Sequence, residues 1–361
     1  MTIDQSSLAG GQAQVELPRL TADLPGIQGF SKQQAADFQV DEIPAYPPEG
    51  QGDFLFVRIE KTGLSGEQLV SQLARCLKIA HQDVGMAGLK DRHAVTRQWV
   101  SLPARCEPLL NEIAHPGIRI LELGRHRHKL RTGHLRGNRF SILIRDCVSG
   151  ALPLAQRIAE RLTSTGCPNF FGDQRFGRDN ETWELGMALL RGDTTPGRIP
   201  RARRKFLLRL ALSAVQSHLF NQALAARMTE GLLHTVLPGD VMQVKASGGP
   251  FVAEEVTREQ ERFNQREIVV TGPMFGPKMK RPSDVAALRE AAILESSGLA
   301  PAAFEKFANL TPGTRRPYLV WMDELRVTEE PEGIRLELTL PSGSYATVVL
   351  REFQKLDPGS S

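Results

Sequence analysis

FSILIRD, residues 140–146, and IRLELTL, residues 334–340, place an apolar side chain at every second position. Phe140, Ile142 and Ile144 share one side of the first segment. Ile334, Leu336, Leu338 and Leu340 share one side of the second, with Arg335, Glu337 and Thr339 opposite. A period of two belongs to strands half-buried against a core. Alternation of this kind predicts a largely antiparallel sheet with one helix-covered face. Helical signals surround these strands. Ser65 and Gln68 form a capping-box pattern ahead of Leu69, Leu73 and Leu77, whose spacing puts them on one helical face, and the helix is expected to stop before His81. Leu154, Ile158 and Leu162 mark a second helix that ends near Gly166. A long helix is expected over Phe206–Met228, a strand at Ile268–Thr271 and a helix after Ser283. The expected fold class is α+β, a mixed, mainly antiparallel sheet flanked by helices.

At 361 residues the chain exceeds one ordinary compact core. The Pro- and Arg-rich stretch Thr194–Pro200 and the segment Thr311–Pro317 read as connections. An inserted domain over 195–317 follows, within a discontinuous sheet domain formed by 25–194 and 318–355, after an N-terminal extension 1–24. A hydrophobic fraction of 41% against 24% charged residues excludes disordered and fibrous classes. The opening MTIDQSSLAGGQAQVELP has neither a basic nor an apolar leader segment, and no stretch approaches the roughly 20 apolar residues that span a bilayer. The expectation is a soluble cytoplasmic protein with no membrane partner. Cys76, Cys106, Cys147 and Cys167 are widely spaced and suit neither zinc nor a redox pair.

The net charge of +4 points only weakly to a polyanion, and its distribution says more. Leu123–Arg145 contains no acid and carries Arg125, Arg127, Lys129 and Arg131 among His126, His128 and His134. Thr194–Thr229 is likewise free of acids and carries Arg198, Arg201, Arg203 and Arg204. One basic run is as readily solvated surface as phosphate contact. Two favour RNA or DNA, because each neutralised phosphate releases counterions. Alternation puts His126 and His128 on one strand face with no third ligand nearby, so no metal is expected.

The segment GMAGLKDRHAVTRQW, residues 85–99, sets Lys90 and Asp91 behind two glycines. Gly85 and Gly88 would admit unusual backbone angles and close approach of a ligand. A phosphate-binding loop is excluded, because Asp91 stands where Ser or Thr should follow the lysine. On composition alone, a Lys-Asp pair in a glycine turn reads first as a surface turn.

GLKDRHAVTRQW resembles the signature of the TruD family of transfer RNA pseudouridine synthases. NFFGDQRFG, from Asn169, resembles the family's second signature, and HRHKLRTGHLRGNRFSILIRD, from His126, resembles the stretch between them. LSAVQSHLFNQ, from Leu212, and LPSGSYATVVLRE, from Leu340, extend the likeness in the same order, over roughly residues 25–355. The resemblance implies a pseudouridine synthase catalytic domain with an inserted TRUD-type α/β domain. It implies an isomerase that converts uridine 13 of tRNA to pseudouridine without a cofactor or an obligate protein partner.

Asp91 falls on the family's catalytic aspartate, and the resemblance leaves open whether it bonds to the ribose anomeric carbon or deprotonates its neighbour. Lys32 falls on the lysine that pairs with it. Ala35-Ala36 stands before Asp37-Phe38 where the family often has Pro-Glu. Phe38, Asn169, Phe171 and Tyr345 fall on substrate contacts, with Phe171 set against the uracil and Phe170 assigned to the core. Tyr345 replaces a common Phe and adds a hydroxyl. A flipped uridine costs a few kcal/mol of unstacking, and an aromatic stack returns about 1–3 kcal/mol. RNA contacts are expected at Arg125, Lys129, Arg131, Arg198, Arg201, Arg203 and Arg204.

Two other classes compete with the enzyme. A non-catalytic tRNA-binding module would gain nothing from an anion beside phosphate. An RNA methyltransferase would need a glycine-rich cofactor turn between strand and helix, which the sequence lacks.

Overall fold

The computed structural model describes residues 17–177 and 180–356. The chain divides into two compact units, one formed by Thr21–Gly172 with the chain from Leu319 onward, the other by Asp173–Tyr318 with residues 17–20.

The first unit is built on a nine-stranded sheet. Its order is Leu325–Glu330, Gly333–Pro341, Leu135–Arg145, Phe38–Pro44, Val95–Pro103, Phe54–Lys61 and Ile118–His126, with the short strands Phe30–Ser31 and Gly85–Met86 added at the side. Neighbours are antiparallel except Phe38–Pro44 with Val95–Pro103, which run parallel, so the sheet is mixed. The two alternating segments lie side by side, Ile334 opposite Ile144, Leu336 opposite Ile142 and Leu338 opposite Phe140.

Directly paired residues share a face. The row Leu338, Phe140, Val40, Thr96, Lys61 therefore crosses five strands on one side of the sheet. Helix Gly66–Cys76 covers the Lys61 end of that side. Its Ser65 cap and Gln68 form the reciprocal capping box, and Leu69, Leu73 and Leu77 pack on Leu55, Val57, Ile59 and Val100. Helix Ala151–Thr165 buries Ala155, Ile158 and Leu162 and ends at Gly166, whose φ of +87° suits glycine. It packs on strands Leu325–Glu330 and Gly333–Pro341 and touches helix Ala346–Gln354.

The first unit begins at Thr21 rather than at residue 25. Thr21 is fully buried, and its amide and hydroxyl both donate to the Glu352 carboxylate at 3.0 and 2.7 Å.

The second unit starts at Asp173, earlier than the expected 195, because helix Glu181–Arg191 shares a core with helix Arg201–Thr229. Gly186 permits that approach, since a Cβ there would lie 2.3 Å from the Ala211 carbonyl. The unit ends at Tyr318 rather than Pro317: the Tyr318 amide donates to Val270 O at 2.9 Å and its ring meets Phe220. Its antiparallel sheet runs Pro250–Val252, Val241–Val244, Ile268–Met274, Thr314–Pro317. Helix Asp284–Ser296 follows Ser283 as expected, whereas the long helix starts at Arg201, five residues before Phe206. Among the described residues no helix is long and apolar enough to cross a membrane.

Candidate active site

Asp91 lies in the loop between strands Gly85–Met86 and Val95–Pro103. Gly85 is required for space, because a Cβ would meet Ser101 Oγ at 2.3 Å and Leu130 O at 2.4 Å. Gly88 has no such neighbour and no left-handed φ, so the special geometry expected of both glycines belongs to Gly85 alone, as close packing.

Two buried lysines hold this loop over the sheet. Lys61 is wholly buried and donates to the backbone carbonyls of Asp91, at 2.8 Å, and Leu64, at 2.7 Å. Burial pushes its ammonium down to about 8, against the opposing pull of the Asp91 charge. Lys90 donates to Glu42 Oε2 at 2.5 Å, and Glu42 Oε1 accepts from the Trp99 amide at 3.3 Å. Lys90 therefore meets a buried carboxylate, and the Lys-Asp pair is more than the surface turn that composition alone suggests. Beneath the loop, Thr96 Oγ1, Gln98 Oε1 and Asn138 Oδ1 are buried without a hydrogen-bond partner among the described residues, leaving a polar floor with unused acceptors.

The Asp91 carboxylate is held from two sides. Oδ2 accepts from Lys32 Nζ, and Oδ1 accepts from the His93 amide at 3.0 Å. Burial works to raise its pKa, but the Lys32 hydrogen bond, the His93 amide and the two charges outweigh it, leaving the carboxyl below the ordinary aspartate range. The pair stays open to solvent, with side chains 25% and 36% exposed. Lys32 itself adopts a left-handed φ of +66°. Its ammonium sits 4.4 Å from the centroid of the buried Phe38 ring, which is braced edge-on by Phe140 at 6.0 Å.

Asn169, Phe171 and Tyr345 form a second group in the same unit. Asn169 follows the short strand Cys167–Pro168, which pairs with Leu319–Val320, and its Oδ1 accepts from Ser344 Oγ at 3.1 Å. The Phe171 ring stands edge-on to Tyr345, centroids 5.9 Å apart, where Tyr345 opens helix Ala346–Gln354. Phe170 and Phe171 are 1% and 6% exposed, so burial does not separate the core ring from the one assigned to the uracil.

The basic residues divide by what they already bind. Arg125 is engaged by Glu107, and Arg204 donates to the carbonyls of Ile199 and Gly197. Arg131, Arg198, Arg201 and Arg203 are exposed, and Lys129 donates to the Gln82 carbonyl. His126 and His128 do not share a strand face. The strand ends at His126, which is buried, and the backbone turns so that His128 is exposed and its amide donates to His126 Nδ1 at 2.9 Å. Among the described residues no group of three His, Cys, Asp or Glu side chains is placed to share a metal ion.

Comparison with known proteins bears on this arrangement. The sequence model of tRNA pseudouridine synthase D (TruD) matches residues 14–196 and 201–353. The chain belongs to the TruD family. A tRNA pseudouridine synthase D of Anaeromyxobacter dehalogenans is 44% identical over 342 residues, covering 94% of this chain and 97% of the relative. One from Thermus thermophilus is 39% identical over 94% of this chain and 92% of its own. The crystal structure of a putative tRNA pseudouridine synthase D from Methanosarcina mazei superposes with a TM-score of 0.75 at 25% identity, over 93% of this chain and 95% of that one. TruD-family membership makes the chain a pseudouridine synthase, hence an isomerase acting on tRNA, and the α+β class agrees with the solved relative.

Lys61 and Glu42 escaped the reading of motifs, yet the pattern that would have found them is present. Lys61 shares the inward parity of Leu55, Val57 and Ile59, and Glu42 that of Phe38 and Val40. An ionisable residue at an inward strand position is a signal in itself.

Proposed function

We propose that this chain converts uridine 13 of cytoplasmic tRNA to pseudouridine, with the Asp91 carboxylate acting on the ribose of the flipped nucleotide. The bond from uracil N1 to the anomeric carbon breaks, the base turns, and C5 takes its place. The proton lost from C5 balances the one gained at N1, so the reaction needs no redox partner. What most supports Asp91 is its pairing with Lys32: a carboxylate kept ionised, half-open to solvent, on a loop anchored from below.

In this reading Lys32 maintains the charge of Asp91, and Phe38 supports Lys32. Asn169 offers a donor and an acceptor to the uracil edge, while Phe171 and Tyr345 supply the rings that replace lost stacking. Lys129, Arg131, Arg198, Arg201 and Arg203 meet phosphates. Arg125 and Arg204 contribute less, because Arg125 is already paired with Glu107 and Arg204 with backbone carbonyls.

The test is release of tritium from tRNA labelled at uracil C5, with the product position mapped in RNA from cells with and without the protein. Asp91→Asn is expected to abolish release while RNA affinity stays within about tenfold. Equal loss of binding and turnover would remove Asp91 from the chemistry, and a product elsewhere than position 13 would reassign the target.

A further inference from the structure

A cleft of about 830 Å3 opens on the first unit, lined by Tyr46, Pro47 and Pro48 together with His128, Lys129 and Arg131. It uses none of the side chains assigned to the reaction at Asp91. Phe56, His126 and Tyr46 form a ladder of stacked rings, with centroids 4.7 and 4.8 Å apart and planes tilted by 23° and 24°. Phe56 and His126 are buried and Tyr46 is partly open, so the ladder ends at the cleft.

Hydrogen bonds fix the rings around it. His134 Nδ1 accepts the Arg131 amide at 3.3 Å, so it carries no proton, and the Tyr46 hydroxyl 2.6 Å away must donate to it. His134 Nε2–H remains as a donor. His126 Nδ1 lies 2.9 Å from the His128 amide and 3.0 Å from its carbonyl, and Nε2 faces Glu49 at 3.6 Å. Glu49 also faces Arg127 at 3.6 Å. The acid that lines the cleft is thus occupied, whereas Arg131 has no carboxylate partner within 4 Å among the described residues and Lys129 binds only a carbonyl.

A lining that combines aromatic and proline surface with cationic side chains suits a nucleotide, the base lying on the former and the phosphate held by the latter. The cleft is also tied to the catalytic loop. Gly133 donates to Ala87 O at 2.8 Å, and Leu130 packs with Phe56, Ala87 and Trp99.

We propose that this cleft binds one unpaired nucleotide of the RNA substrate, distinct from the uridine that is isomerised, with its base on Tyr46 and Pro48 and its phosphate on Arg131 and Lys129. The inference rests on the RNA-modifying reading given above. It assigns the cleft to docking, so its loss raises KM and leaves kcat in place.

The test measures the affinity of a substrate tRNA transcript against salt in the inactive Asp91→Asn background. Arg131→Ala is expected to weaken binding several-fold and to reduce the salt slope by about one. Tyr46→Ala is expected to weaken it about tenfold, and Tyr46→Phe, which keeps the ring, by less than twofold. With Asp91 restored, Arg131→Ala should raise KM at unchanged kcat. A transcript carrying 4-thiouridine should crosslink to the Tyr46 peptide from an unpaired position other than the target.

Unchanged affinity and salt slope in Arg131→Ala would overturn the proposal, as would crosslinking of the target uridine itself to Tyr46. Removing a ring from the ladder risks unfolding, so a melting curve accompanies Tyr46→Ala, and the exposed Arg131→Ala decides alone if that variant fails to fold. Failure of the underlying reading is seen separately, as tritium release that persists in Asp91→Asn.

Discussion

The two units each contain a prominent carboxylate–cation pair, and the pairs are built to opposite ends. In the second unit Asp240 and Arg227 are each 4% exposed. The guanidinium grips both carboxylate oxygens, at 2.8 and 2.6 Å, and spends two other donors on the carbonyls of Leu232 and Thr235, while the Leu237 amide completes the carboxylate. Arg315 and Glu290 repeat the pattern at 2.7 and 2.9 Å. In the first unit Asp91 has one ammonium and one amide and keeps 36% of its side chain exposed. A buried fork with four of its five donors spent has little left for a ligand and serves cohesion. The unsaturated pair has a charge to lend.

Exchanging Asp for Asn in each pair should separate the two roles most sharply. Asp91→Asn should lower turnover by about 10⁴-fold or more with little change in Tm. Asp240→Asn should cost about 3–5 kcal/mol of stability, by stranding a buried guanidinium, while the folded fraction keeps its kcat. Turnover and melting measured on both variants check this. Parallel losses in both would erase the contrast.

A smaller effect is expected from Lys32→Met. With the ammonium gone, burial is no longer outweighed and the pKa of Asp91 rises. The ionised fraction then falls as pH drops through the new value, giving an acid limb that the native enzyme should not show above about pH 4. A loss of turnover that deepens as pH falls and is partly recovered as pH rises is expected in the tritium assay. A uniform loss at every pH would mean that Lys32 acts other than through the charge of Asp91.

Lys61→Met tests the anchor beneath the loop. The native ammonium titrates near 8 when folded against 10.5 when free. Between these values the unfolded chain binds more protons, so stability conferred by this group rises with pH across that window. The Tm of the native protein relative to Lys61→Met should therefore climb by a few degrees from pH 8 to pH 10.5. Turnover of the variant should fall about tenfold as the Asp91 carbonyl loses its tether. A pH-independent Tm difference would contradict this account. Smallest of all, Arg201→Ala with Arg203→Ala in the second unit should weaken RNA binding several-fold and reduce the salt slope by up to about two.

How much of this was legible depended on how local the cause is. Strands at Phe140–Ile144 and Ile334–Leu340 could be anticipated because alternation and sidedness are written within each, whereas their lying side by side is a tertiary outcome. The Ser65–Gln68 cap was legible for the same reason, since both partners lie within one turn. The Lys90–Glu42 bond joins residues 48 apart and depends on the one parallel pairing described in the sheet, which no local pattern announces. Helix Glu181–Arg191 lies in the second compact unit because its partner helix stands beyond the Pro-rich connection, a contact that no local pattern announces. His126 and His128 were misjudged because the strand stops between them, a matter of tertiary turning rather than alternation. Asp91 was reached through family likeness. Composition alone left it a surface turn.

The left-handed backbone at Lys32 carries one more implication. An L-residue in that region gives up about 1–2 kcal/mol that glycine would not. A search for stabilising substitutions guided by backbone angles would therefore select Lys32→Gly early, and a screen by melting temperature would reward it. The resulting protein would shed that strain and lose turnover together, so melting temperature is a misleading proxy for fitness at Lys32.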